Sequence, residues 1–228
     1  IAGLGGAINM VTPSARTMDD QGQVRVEGGS FGTLRTHVDA GQAFGTADAY
    51  ASVTKSIIDG YRQQSEQNNT KFNGNIGYAF SPGVETRFYV SWNDIQQEVP
   101  GTLTKQQALD TPKMAPATNI LNDNARDIRS LRIANKTTVA FGADSRIEFG
   151  AYVNDKDLYH PIFQVIDQES VDLGAFARYG TSWMAGDMRN ESIVGLNAGR
   201  GVNNADRYLN IQGNRGAKQS DAKQTATN

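Results

Sequence analysis

Val84-Glu-Thr-Arg-Phe-Tyr-Val-Ser-Trp-Asn93 is the clearest β-strand signal in the sequence. Successive side chains of an extended chain point to opposite faces. Val84, Phe88 and Trp92 therefore share one face, and Glu85 and Arg87 share the other. This period of two predicts a strand that is apolar on one side and polar on the other.

The same alternation recurs along most of the chain. It predicts about nine strands, at 23–30, 33–43, 47–58, 70–80, 84–96, 128–141, 146–156, 169–183 and 190–199. The connections between them alternate in length. Short turns are expected at 44–46, 81–84, 142–145 and 185–189, and long polar loops at 59–69, 97–127, 157–168 and 200–228.

The alternation of short turns and long loops distinguishes between two kinds of β protein. A soluble sandwich has no reason to place short and long connections alternately, whereas an outer-membrane barrel has short periplasmic turns and long extracellular loops. Within hydrocarbon, only a closed antiparallel sheet satisfies the backbone of every strand. The sequence therefore predicts an all-β, antiparallel transmembrane β-barrel. Because bacterial single-chain barrels have even strand numbers, nine strands indicate part of a larger barrel.

Composition excludes several function classes. Lys and Arg total 22 against 24 Asp and Glu, a net charge of −2, which gives no basic surface for nucleic acid. No apolar run approaches the roughly 17–25 residues of a membrane helix. Cysteine is absent, which removes disulfides, thiolate zinc sites and cysteine nucleophiles.

Candidate metal and catalytic groups are sparse. His37 and His160 are far apart in sequence, and neither belongs to a metal-binding spacing such as His-x-x-x-His. His37 shares the polar face of its strand with Arg35 and Asp39, which favours a hydrogen-bonding role inside the barrel. We therefore expect no metal site, no cofactor and no enzyme activity.

Three motifs carry a more specific signal: Ile1-Ala-Gly-Leu-Gly-Gly-Ala-Ile-Asn-Met-Val-Thr12, Gly28-Gly-Ser-Phe-Gly-Thr33, and Asp59-Gly-Tyr-Arg62 with Ser65. They resemble the plug-to-barrel junction and the second extracellular loop of TonB-dependent outer-membrane receptors. The resemblance implies a structural plug strand containing Gly5, Gly6, Asn9, Val11 and Thr12. It divides the chain into the end of a plug domain (1–15), a linker (16–22) and the N-terminal part of a barrel (23–228).

This resemblance also implies an architecture and a function. The barrel would have about 22 strands and lie in the lipid of a Gram-negative outer membrane. The receptor would bind a ferric siderophore or another ferric chelate, and the TonB-ExbB-ExbD energy-coupling complex would drive its release inward.

The third long loop begins Gln97-Glu-Val-Pro-Gly-Thr-Leu-Thr104, which is similar to the ferric-citrate-receptor-like branch of the family. From the residues alone, the same stretch is a Pro-Gly turn leading into a short helix capped by Thr102 or Thr104. An anionic chelate would need arginine forks, and Arg62 and Arg126 near the rim are the candidates. A solvated rim role for both is the alternative.

Other readings stay open at this point. A passive porin would share the alternation and the loop rhythm without the plug strand. A soluble β-rich adhesin would remain in solution without detergent, whereas a barrel would migrate differently on gels after heating. A catalytic barrel is a third alternative, and no residue spacing favours it.

Overall fold

The computed structural model describes residues 12–18 and 20–227. It contains two short helices, α1 (Lys105–Asp110) and α2 (Ala117–Leu121). The ten strands are β1 (Gly22–Gly29), β2 (Thr33–Phe44), β3 (Ala47–Ile58), β4 (Gln67–Ser81), β5 (Val84–Gln97), β6 (Asp127–Phe141), β7 (Ser145–Pro161), β8 (Gln164–Ala185), β9 (Met188–Ile211) and β10 (Asn214–Thr227).

All ten strands form one antiparallel sheet in which each strand pairs with its sequence neighbours. This simple order places alternate connections at opposite edges. Residues 45–46, 82–83, 142–144 and 186–187 form short turns at one edge, as the sequence predicts. We call this the turn edge. The opposite, loop edge carries residues 30–32, 59–66, 98–126, 162–163 and 212–213.

One face of the sheet, the outer face, is apolar and exposed. Ile76, Phe88 and Leu196 are 63%, 57% and 79% exposed, respectively, and all lie on this face. Only Tyr50, Ala115 and Val165 are buried apolar residues in the described part of the chain. A water-soluble protein would bury such side chains, so this exposed band fits a surface that lipid covers.

The opposite, inner face has the reverse character. Its buried side chains include Asp48, Ser52, Asn75 and Arg87. Polar groups become buried only where hydrogen bonds compensate for lost water. The alternation predicted from segment 84–93 is therefore confirmed, with Arg87 inside and Phe88 outside.

A row of polar residues bounds the apolar band toward the loop edge. The strand register aligns it directly across eight strands: Lys55, Thr70, Asp94, Arg129, Asp157, Glu169, Asn204 and Lys223. The neighbouring row on the turn-edge side is mostly apolar, with Asp155 as its one charged member: Val53, Phe72, Trp92, Leu131, Asp155, Val171, Val202 and Thr225. This change from a mostly apolar to a mostly polar row is the pattern expected where a lipid-facing band ends.

Two sequence predictions about the C-terminal half are wrong. Residues 157–168 are not a long loop, because β7 and β8 continue to a tight connection at 162–163. Residues 200–228 are not a loop either, because β9 runs to Ile211 and pairs with a tenth strand, β10. The charged residues of both segments continue the strands beyond the apolar band, where composition resembles that of a loop.

The predicted plug strand lies mostly outside the described residues, as Gly5, Gly6, Asn9 and Val11 do. Thr12 belongs to an irregular segment that leads into a turn at 15–17. The division into plug, linker and barrel stays a prediction.

Among the described residues, no helix has the length and apolar character needed to cross a membrane.

Candidate functional site

A cluster of charged side chains lies on the inner face near the turn edge. Both terminal nitrogens of the Arg87 guanidinium donate to the Asp48 carboxylate, Nη1 to Oδ1 at 2.7 Å and Nη2 to Oδ2 at 2.8 Å. Arg87 also donates to Glu85 Oε1 at 2.8 Å and to Asn75 Oδ1 at 2.7 Å. Paired, bidentate geometry is the arrangement in which a buried ion pair is tolerated.

Gly77 makes this cluster possible. It pairs in register with Asp48 on one side and with Arg87 on the other. A Cβ at position 77 would lie 2.2 Å from Arg87 Nη2 and 2.7 Å from Asp48 Oδ2. The missing side chain therefore leaves the space through which β3 and β5 interact over β4.

The same cluster holds the segment that precedes β1. Arg16 Nε donates to Asp48 Oδ2 at 2.9 Å, and its Nη2 donates to the carbonyl of Gly45 at 2.7 Å. Asn75 Nδ2 donates to the carbonyl of Pro13 at 2.8 Å. Residues 13–16 are thus attached to the inner wall beside the turn edge. Sequence reasoning did not identify Arg16, Asp48 or Asn75 as partners.

At the other end of the wall, the long loop 98–126 folds into a compact layer. Thr104 caps α1, its hydroxyl accepting from the N–H of Gln107, while the Gln107 side chain accepts from the N–H of Thr104. This reciprocal capping box fixes the start of the helix. The predicted short helix is confirmed, and of the two predicted caps, Thr102 and Thr104, the structure shows Thr104.

Arg62 holds two loops of this layer together. Its Nε and Nη2 donate to the Met114 carbonyl at 3.0 and 2.9 Å. Nη1 donates to the Gly101 carbonyl at 2.7 Å, and Nη2 also to that of Pro100 at 3.2 Å. A guanidinium has five N–H groups, so most of its donors are used within the protein. Ligand binding by Arg62 stays a prediction, and the structure gives this side chain a positioning role.

Arg126 is at the end of the same loop. Its backbone N–H donates to the carbonyl of Gln97 at 2.7 Å, and its side chain is exposed. Arg62 and Arg126 do not contact each other. The next residue, Asp127, is partly shielded from water, and burial raises the pKa of its carboxyl, although the N–H of Gln97 donates to it at 3.4 Å.

Two of the family-like motifs meet at the loop edge. The carbonyl of Phe31 accepts from the N–H groups of Asp59 and Gly60 at 3.0 and 3.2 Å. The rings of Phe31 and Tyr61 make an edge contact with centroids 5.2 Å apart. Gly32 has a positive φ of 65° and lies against the Asp59 carboxylate, so a larger residue there would be strained and would have to displace that carboxylate.

The tips of the later strands extend this layer. Asn210 Nδ2 donates to the carbonyls of Asn122 and Ile162 at 2.8 and 2.6 Å. His160 Nδ1 lies 2.6 Å from the carbonyl of Ala125 and must therefore donate to it. The long loop consequently rests on the β7–β9 tips. Neither Asn210 nor His160 shows this role in the sequence, because each partner is a distant backbone carbonyl.

Comparison with solved structures identifies outer-membrane receptors. The unliganded ferric citrate transporter FecA superposes with a TM-score of 0.73 at 10% identity, over 90% of this chain and 33% of that chain. The ferripyoverdine receptor of the Pseudomonas aeruginosa outer membrane, bound to ferripyoverdine, gives 0.65 at 12%, over 90% and 33%. The siderophore receptor PiuA from Acinetobacter baumannii gives 0.62 at 11%, over 89% and 37%. No protein-family profile and no curated protein matches the sequence.

These matches define the class of fold. The chain has the fold of part of the barrel of TonB-dependent outer-membrane receptors, as the sequence motifs imply. It spans about a third of the length of the solved receptors it matches. Those neighbours are transport receptors rather than enzymes.

Proposed function

We propose that the protein containing this chain is an outer-membrane receptor that takes up a ferric siderophore or another ferric chelate in a Gram-negative bacterium. Uptake is driven by the TonB-ExbB-ExbD complex. In this proposal the chain forms one segment of the barrel wall, and residues 1–15 are the end of a plug domain. It has no catalytic role.

One observation carries the proposal: an apolar outer face, a polar inner face and a folded loop layer occur together in one sheet. The apolar face fits lipid, and the polar face lines an aqueous or protein-filled lumen. The loop layer, in which Arg62 joins residues 59–66 to 98–126, provides a preformed rim. Solved receptors with the same fold include a ferric citrate transporter and a ferripyoverdine receptor.

The ligand class we propose is supported by those neighbours, which include a ferric citrate transporter, and by the two rim arginines, Arg62 and Arg126. Carboxylate-bearing chelates are the substrates that arginine forks recognise best. Because most donors of Arg62 are occupied, Arg126 is the freer of the two predicted ligand contacts. We therefore place a ferric citrate-type chelate ahead of a neutral siderophore.

The proposal is tested by uptake of radioactive iron into cells that carry the full-length receptor as their sole ferric-chelate receptor. We expect uptake of ferric citrate or a pyoverdine-type chelate that stops when the tonB gene is deleted or the proton gradient is collapsed. A passive porin would continue to admit small solutes under both conditions. If the protein stays in solution without detergent, the adhesin alternative is correct and the proposal is wrong.

A further inference from the structure

The inner wall contains a second polar feature, separate from the Asp48–Arg87 cluster. A cavity of about 470 Å³ lies between β1 and β4, toward the loop edge. This volume is within the range of about 300–1,000 Å³ usual for small-molecule sites. Strand register builds it from two adjacent rows of inward-facing residues. One row is Arg25, His37, Thr54 and Lys71, and the other is Glu27, Arg35, Ser56 and Asn69.

Charge in this cavity is unbalanced. Arg25, Arg35 and Lys71 line it together with one carboxylate, Glu27, which leaves an excess of two positive charges when His37 is neutral. Nη1 of Arg35 lies 3.7 Å from Oε2 of Glu27, which is a long distance for an ion pair. Among the described residues, Arg25 and Lys71 have no carboxylate within salt-bridge distance. All three cations are exposed to solvent, and like charges gathered around one cavity repel each other unless an anion lies between them.

Both ring nitrogens of His37 already have hydrogen-bond partners, so His37 is not a contact for the anion. Its Nδ1 is 2.8 Å from Thr54 Oγ1, and its Nε2 is 2.9 Å from Asp39 Oδ2. The Asp39 carboxylate, beside the cavity, therefore interacts with His37. These two hydrogen bonds of His37 leave the excess of two positive charges in the cavity unchanged.

The cavity also contains polar atoms without partners. Ser56 is 7% exposed, and its Oγ makes no hydrogen bond. Asn69 Oδ1, directly beside it in the register, is also buried and without a partner. Buried polar atoms that lack partners are rare and costly. A bound group that accepts from the Ser56 hydroxyl would satisfy one of them.

We propose that this cavity is a carboxylate-binding site in the inner wall, in which Arg25 and Lys71 bind the anion and the Ser56 hydroxyl donates to it. The inference concerns the wall and does not depend on which chelate the receptor transports. Two sources can supply the same chemistry: a free di- or tricarboxylate, or a carboxylate side chain from a part of the receptor beyond this chain.

The experiment uses the purified full-length receptor in detergent at low ionic strength, with iron-free citrate as the probe in calorimetric titrations. The variants are Arg25→Gln, Lys71→Gln, Ser56→Ala and the double variant R25Q/K71Q. Arg178→Gln is the matched control, because Arg178 is an exposed cation of β8 that lies against the Phe176 ring, far from the cavity. The midpoint of thermal unfolding without citrate is measured for every variant.

For a free carboxylate, citrate binds the wild type, and its Kd rises about tenfold or more for each cation removed, since hydrogen bonds to charged groups are the strong ones. S56A weakens binding less, and R178Q leaves it unchanged. For a carboxylate within the receptor, citrate does not bind, but R25Q/K71Q lowers the unfolding midpoint while R178Q does not.

The inference is wrong if citrate binding is absent or insensitive to the cavity variants and R25Q/K71Q also unfolds at the wild-type temperature or above it. A cavity that holds no anion would gain stability when repelling cations are removed. Uptake of iron is not a readout in this test, so its outcome is separate from that of the transport proposal.

Discussion

Asp48 and Arg87 form a bidentate ion pair although their strands, β3 and β5, are not neighbours, because the pair passes over Gly77 of the intervening β4. Both residues are almost fully buried, with 1% of the surface of Asp48 and 6% of that of Arg87 exposed. The pair therefore depends on the absence of a side chain at one position in the strand between them.

We expect Gly77→Ala to displace this pair and to destabilise the full-length protein by about 1–3 kcal/mol, the usual cost of overpacking, because Asp48 keeps Arg16 and Arg87 keeps Glu85 as partners. The measurement is a urea unfolding and refolding titration. Gly180→Ala is the control, because a Cβ at position 180 meets no atom closer than 3.9 Å. Equal urea midpoints for the two variants would show that the stability of the ion pair does not depend on the absence of a side chain at position 77.

The two faces of β5 differ in what they tolerate. Phe88→Arg places a charge in the lipid-facing band and should cost roughly 2–4 kcal/mol near the bilayer midplane. Tyr89→Arg, on the polar inner face, should cost much less. Refolding titrations into lipid vesicles rank the two variants, and the reverse ranking would mean that the register is shifted by one residue.

Arg62 should control the mobility of the long loop. Arg62→Gln removes most of the hydrogen bonds that join residues 59–66 to the carbonyls of Pro100, Gly101 and Met114. We expect faster amide hydrogen exchange across 98–116 with no change in the strands. Arg126→Gln, in the same loop but with an exposed side chain, is the control. Unchanged exchange in R62Q would contradict the positioning role.

Orientation in the membrane is open to a labelling experiment. The chain contains no cysteine, so single cysteines report without background from this segment. Cysteine at Asn68 or Asp123, both exposed near the loop edge, should react with an impermeant reagent on intact cells. Cysteine at Asp187, exposed in the turn 186–187, should react only after the cells are opened. If only the cysteine at position 187 reacted on intact cells, the topology would be the opposite of the one predicted.

Asp127 gives a pH-dependent prediction. Burial raises the pKa of this carboxyl in the folded protein, so its ionised form opposes folding at neutral pH. Asp127→Asn should therefore raise the unfolding midpoint at pH 7. The advantage should disappear as the pH falls through the raised pKa toward the ordinary value, where both states are protonated. A variant less stable than wild type at pH 7 would contradict this.

The sequence predicts strands well where large apolar residues alternate, and poorly elsewhere. Segment 47–58 alternates weakly because Ala47, Ala49 and Ala51 occupy the outer face, yet the inner residues Asp48 and Ser52 are among the most buried in the structure. Its partners are set by register with β2 and β4, which no local pattern contains. The Asp48–Arg87 pair was therefore not predictable, although Arg87 itself was correctly placed inside.

β10 was missed for a different reason. Its sequence, from Asn214 to Thr227, has no apolar alternation, and nearly every residue is exposed. The strand exists because β9 offers a hydrogen-bonding edge and because Lys218 pairs with Asp206 at 3.0 Å. Pairing with β9 therefore makes this segment a strand, whereas its own composition resembles that of a solvated loop.

The unequal strand lengths place the strand tips at different heights above the turn edge. β9 has 24 residues and β3 has 12. Measured from the turn edge, with about 3.3 Å per residue and a tilt of about 45°, the tip of β9 stands roughly 28 Å higher than that of β3. Residues 30–32 are consequently expected near the level of the lipid headgroups. In the proposed orientation, a large particle outside the cell would therefore meet the β8–β10 side first.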